Sequence, residues 1–139
     1  MNVAAKPLLR MRIPNAGEPV FKARARMTRL LKRLHFPQDA AESVLLAFSE
    51  ALTNAIIYGG AAPRQSVRVH VGLEGDYLVV EVTDHGNGFQ PRSIQLPPPG
   101  DMSEGGRGLF LMHALMDDVV WQDTSHGTTV RMTKARAVA

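Results

Sequence analysis

The sequence predicts an α+β fold, a two-layer sandwich in which a mixed, mostly antiparallel sheet carries helices on one face. Three observations predict it. Segments of strand-like alternation and of helical periodicity follow one another in the order strand, helix, helix, strand, strand, helix, strand, strand. The two central Val-rich strands are close enough in sequence to form a hairpin. The chain of 139 residues is 45% hydrophobic and 21% charged, the composition of one ordinary domain that buries its core without covalent staples.

Residues 8–13 alternate Leu9, Met11 and Ile13 with Arg10 and Arg12, as a strand with one buried face does. Pro14, Asn15 and Gly17 break the pattern. Glu18 and Pro19 suit a first helical turn, and a helix is expected from there to His35, with Phe21, Met27, Leu30, Leu31 and Leu34 on its inner face. Phe36-Pro37-Gln38-Asp39 restarts the chain. Residues 40–58 form the clearest helix, more apolar than a surface helix and stopped by Gly59-Gly60.

Residues 66–71 and 77–83 are strands around a turn at residues 72–76. Residues 90–104 hold four of the nine prolines, have no periodicity and read as a long irregular loop. A short helix over residues 109–116 and closing strands at residues 119–122 and 128–133 complete the chain. No internal repeat and no second domain are visible, so residues 1–139 read as one unit.

Several classes of chemistry are excluded. Cysteine is absent, which removes disulfides, thiolate catalysis and cysteine-based zinc sites. The five histidines show no paired ligand spacing, which argues against a structural zinc. The apolar runs fall short of a bilayer span, and residues 1–10 lack the apolar core and cleavage pattern of a secretory signal. A cytoplasmic location is the expectation. The formal charge of +3 is concentrated in Lys22, Arg24, Arg26, Arg29, Lys32 and Arg33 on one helix. Such a face can neutralise nucleic-acid phosphates, but it is more often simply solvated, and an acidic protein surface would explain it equally well.

Four short stretches could carry chemistry. On the apolar helix, Glu50 and Asn54 are an i, i+4 pair on one face with Ser43, while Val44, Phe48, Leu52 and Ala55 lie on the other side. Alone, the pair could be the solvent side of a half-buried helix. After a Val-rich strand comes D-H-G-N-G: Asp84 accepts hydrogen bonds only, which suits an exocyclic amine, and Gly86 and Gly88 remove side chains where a ligand could press on the backbone. The plain alternative is a turn. The run Gly105-Gly106-Arg107-Gly108 stands before a helix, where free amides can hold an anion and an Arg fork can add to a phosphate. A hinge would look the same. Thr128 and Thr129 place hydroxyls at the start of the last strand, where threonine is also an ordinary strand residue.

In this order, E-A-L-T-N on a helix, D-H-G-N-G after a strand, G-G-R-G-L-F-L-M before a helix and G-T-T-V at the last strand resemble the N, G1, G2 and G3 boxes of the GHKL ATPase superfamily. The similarity covers nearly the whole chain. Its small size and the run G-L-F-L-M-H-A-L-M-D-D-V are most similar to the bacterial branch of anti-sigma factor serine/threonine kinases. The resemblance implies the Bergerat, or histidine-kinase-like, ATPase fold and the use of ATP with Mg²⁺.

It further implies that Asn54 binds Mg²⁺ and that Glu50 is the base or orienting group. Asp84 would read the adenine amino group, helped by Thr128 or Thr129. Gly86 and Gly88 would admit adenine, while Gly105, Gly106 and Gly108 with Arg107 would meet the phosphates. Residues 90–104 would be the ATP lid. The implied partners are an anti-sigma antagonist phosphorylated on Ser or Thr and a sigma factor that is sequestered, in a stress-response regulator that can pair as a homodimer. Members often carry His where Tyr58 stands. The rival readings are a nucleotide-gated binding switch without kinase activity and, on the basic helix, a nucleic-acid module.

Overall fold

The computed structural model describes residues 6–14, 17–58, 66–84, 104–124 and 127–136. Its elements come in the expected order: β1 (Lys6–Pro14), α1 (Gly17–Arg33), α2 (Gln38–Tyr58), β2 (Ser66–Glu74), β3 (Tyr77–Asp84), α3 (Glu104–Leu115), β4 (Asp118–Thr124) and β5 (Gly127–Ala135). The strands form one sheet, β1-β2-β3-β5-β4, and every pairing in it is antiparallel. Because β4 lies outside β5, the end of β3 meets the start of β5 even though α3 and β4 intervene in the chain. That crossover builds the site described below.

Side chains alternate across the pleat, and one set faces the helices: Val67, Val69 and Val71 of β2, Leu78, Val80 and Val82 of β3, and Val130 and Met132 of β5 are all buried. The same core takes in Ala23, Met27, Leu30 and Leu31 from α1, Val44, Phe48 and Leu52 from α2, and Leu109 and Met112 from α3. The hairpin between β2 and β3 turns at Gly75, whose φ of 63° a side chain would resist. The turn is therefore shorter than residues 72–76, and β2 runs on to Glu74.

Four sequence expectations need correcting. Phe21 is 72% exposed, because at about 100° per residue it lies nearly opposite Ala23, which takes the inner position instead. Helix α1 stops at Arg33, before His35. His35 has a φ of 60°, its N–H donates to Lys32 O, and the Phe36 N–H donates to Leu31 O, which is the paired bonding of a Schellman stop with His in the usual glycine place. Helix α2 is, by length and mean hydropathy alone, apolar enough for a bilayer span, contrary to the reading of the apolar runs. Its apolar residues instead serve the core: Val44, Phe48 and Leu52 are fully buried against the sheet layer. Finally, α3 begins at Glu104, so the glycine run forms its first turn instead of preceding it. Glycine's poor helix propensity hides this start in the sequence. The packing of Gly108, Leu109 and Met112 outweighs that local preference.

Candidate nucleotide site

Helix α2 supplies one wall of a cleft. Its outward stripe is Glu42, Leu46, Thr53 and Ile57, all exposed, so Glu50 and Asn54 are not the solvent side of the helix. They flank it, half-buried, between the outward stripe and the core. Ser49 and Thr53 turn their hydroxyls back to the carbonyls of Leu45 and Ser49, at 2.8 and 2.9 Å, which satisfies them within the helix. Asn54 differs. Its carboxamide nitrogen is buried without a hydrogen-bond partner, a state that costs free energy unless a polar group arrives to meet it.

The opposite wall comes from the sheet. Register pairs Asp84 of β3 with Thr128 of β5, and Thr128 with Asp123 of β4. The Thr128 N–H donates to Asp84 Oδ1 at 3.3 Å, and the Thr128 hydroxyl donates to Asp123 Oδ1 at 3.3 Å. Asp84 and Thr128 are the buried polar residues among those described, only 6% and 4% exposed. Below this polar rung lies an apolar one of Val82, Val130 and Trp121. Ala51, Asn54 and Ala55 of α2 face these rungs across a narrow cleft. A carboxylate at its floor presents acceptors only, which selects a ring bearing an N–H donor.

A second hollow lies at Pro7, Arg10, His70, Gly72, Val79 and Glu81, and it contains none of the candidate site residues read from the sequence. The α2–sheet cleft is the one with the required chemistry.

Most of the sequence-derived residues that are described converge. Asn54, Asp84 and Thr128 line the cleft. Glu50 lies one turn before Asn54 and against Gly108 of α3. Thr129 does not join them: alternation turns it to the other face of the sheet, where its hydroxyl bonds that of Thr83 at 2.8 Å. Gly105, Gly106 and Arg107 lie in the first turn of α3, whose free amides have no partner within the helix. The Arg107 side chain, Gly86, Gly88 and lid residues 90–103 lie outside the described parts. Sequence reading overlooked Trp121 and Asp123. The alternation Val119, Trp121, Asp123 places both on the inner face of β4, and that signal was available in the sequence.

Among the described residues no group of three His, Cys, Asp or Glu could hold a metal ion. Asn54 offers a hard carboxamide ligand beside the cleft. That donor set fits Mg²⁺, which commonly takes one or two protein ligands and completes its octahedron with substrate phosphates and water.

Comparison with known proteins bears on the family and the fold. A family profile described as the histidine kinase-like ATPase domain matches residues 13–134. The serine-protein kinase RsbW of Bacillus velezensis is 36% identical over 135 residues, covering 91% of this chain and 84% of that protein. RsbW of Bacillus subtilis is 34% identical with the same coverage of both chains. Among solved structures, the RsbU and RsbW domains of Rv1364c from Mycobacterium tuberculosis match with a TM-score of 0.70 at 19% identity, covering 91% of this chain and 31% of that one. That last likeness concerns the fold.

Proposed function

The chain belongs to the histidine kinase-like ATPase domain family, and from that premise we propose that it is a serine/threonine protein kinase of the anti-sigma type, using Mg-ATP in the α2–sheet cleft. The observation that carries the reading is the buried Asp84 carboxylate, held by Thr128 at the floor of a cleft that the unmet amide of Asn54 also lines. Asp84 accepts a hydrogen bond from the adenine amino group. Val82, Val130 and Trp121 give the ring an apolar bed. Asn54 is the Mg²⁺ ligand, and that ion, when bound, neutralises phosphate charge.

Glu50, one helical turn from Asn54, orients the attacking hydroxyl and takes its proton. The first-turn amides of α3, free of Cβ crowding at Gly105 and Gly106, meet the phosphates, with Arg107 as an added fork. Gly86 and Gly88 admit the base, and the stretch from residue 90 up to the start of α3 is assigned as the ATP lid. Phosphoryl transfer asks chiefly for positioning and charge neutralisation, which this set supplies.

The protein substrate is an anti-sigma antagonist and the sequestered partner a sigma factor. RsbW relatives at 34–36% identity are named serine-protein kinases, which favours transfer over a silent binding switch. Helix α1 offers a partner surface: Lys22, Arg24, Arg26, Arg29, Lys32 and Arg33 are all exposed, with Phe21 standing out among them. An exposed aromatic within a cationic face fits an acidic protein surface better than a phosphate backbone.

Calorimetric titration tests the site. Wild-type protein should take up Mg-ATP, and the fluorescence of its single tryptophan, Trp121, should change with it. Asn54→Ala loses at least tenfold in Mg-ATP affinity, and unchanged affinity would remove Asn54 from the site. Incubation of radiolabelled ATP with proteins co-purified from the native cell should label one partner on Ser or Thr; an unlabelled partner would leave only the binding switch.

A further inference from the structure

Gly108 is buried in α3, one turn from the start of that helix. A Cβ placed on it would stand 2.8 Å from Glu50 Oε2 and 3.7 Å from Glu50 Cδ, and among the described residues no other atom outside its own helix backbone and neighbours comes within 4 Å. Among the described residues, the group that fills the space glycine leaves open is the Glu50 carboxylate. The resemblance assigns this glycine to the phosphates, yet the atom it clears is the base.

We propose that Gly108 is a positioning residue for Glu50: the missing side chain lets the carboxylate stand against α3, in the place from which it acts on the attacking hydroxyl. The inference rests on Glu50 being that base. Its physical logic depends on what would move. The encroached atom is the end of a flexible side chain, so Gly108→Ala relieves the contact by rotating Glu50 and leaves the packing of α2 on α3 alone. Ala is also the better helix former. The fold survives and the carboxylate is displaced. A displacement of about 1 Å in such a group can lower a rate by about 100-fold.

The test uses the full chain with Mg-ATP, reading phosphate release to water, nucleotide affinity by calorimetry and the carboxyl carbon resonance of Glu50, assigned by its loss in Glu50→Gln. Gly108→Ala is expected to lower turnover about 100-fold, to hold affinity within about threefold, to leave the melting temperature unchanged or raised, and to shift the Glu50 resonance. In a Glu50→Gln background the same substitution should lower turnover no further. An unmoved Glu50 resonance would overturn the proposal whatever happens to activity. So would a loss of affinity parallel to the loss of turnover, which would return Gly108 to the phosphates. If Glu50→Gln itself left turnover intact, the base assignment would fall first, and that result is separable from any effect at residue 108.

Discussion

Two neighbouring rungs on the inner face of the sheet share three strands and differ by two residues per strand. One rung is Val82, Val130 and Trp121; the next is Asp84, Thr128 and Asp123. The apolar rung is stabilised by removal from water and by close contact, and it asks only for the right shape. The polar rung is held in its buried place by hydrogen bonds, among them those from Thr128 to both carboxylates, from its N–H to Asp84 and from its hydroxyl to Asp123. The fold thus turns from apolar core to polar lining within one repeat of the pleat.

Substitutions on the two sides should separate stability from binding. The largest effect falls on the apolar side, one rung further in, where Met132 pairs with Val80 and Val119 and is fully buried. Met132→Ala should destabilise the fold by about 2–5 kcal/mol, read as a lower urea midpoint. On the polar rung, Asp84→Asn keeps the shape and can still accept from the Thr128 N–H, so stability should change little. Affinity for Mg-ATP should fall by about 1.5–3 kcal/mol, upwards of tenfold, because an acceptor-only carboxylate has become an amide. Intact ATP binding in that variant would return the D-H-G-N-G stretch to an ordinary turn.

The smallest effect concerns His113 on α3, outside both rungs. Burial lowers its pKa below the ordinary value of 6.5, with partial opposition from the Asp118 carboxylate. Above that value the imidazole is neutral in folded and unfolded chains alike. As the pH drops below it the unfolded chain takes up the proton first, so stability declines until the folded protein is protonated too. A melting-temperature series should show wild type losing ground to His113→Gln only below about pH 6.5. Parallel curves would mean that burial leaves the imidazole unperturbed.

The order of elements, the hairpin and the chemistry of the N-box helix were legible locally. Alternation and helical period act over a few residues, so Val67 to Val71 and Val44, Phe48 and Leu52 declare their buried faces. Even Phe21 fails by local geometry, since an apolar residue need not lie on the apolar face. The start of α3 was not legible, because glycines are read by propensity while their helical state comes from packing against α2. Nor could the choice between Thr128 and Thr129 be made without knowing which face of β5 looks at α2.

By itself the sequence determined the residue types: a carboxylate after a strand, an amide one turn after a second carboxylate, glycines where side chains would crowd. The tertiary structure decided which of them meet. Asp84 and Thr128 are neighbours only because β5 inserts between β3 and β4, and Glu50 and Gly108 only because α3 packs on α2. Those contacts join residues far apart in the chain. No local pattern encodes their distance; it arises when the burial of the whole core selects one arrangement of the layers.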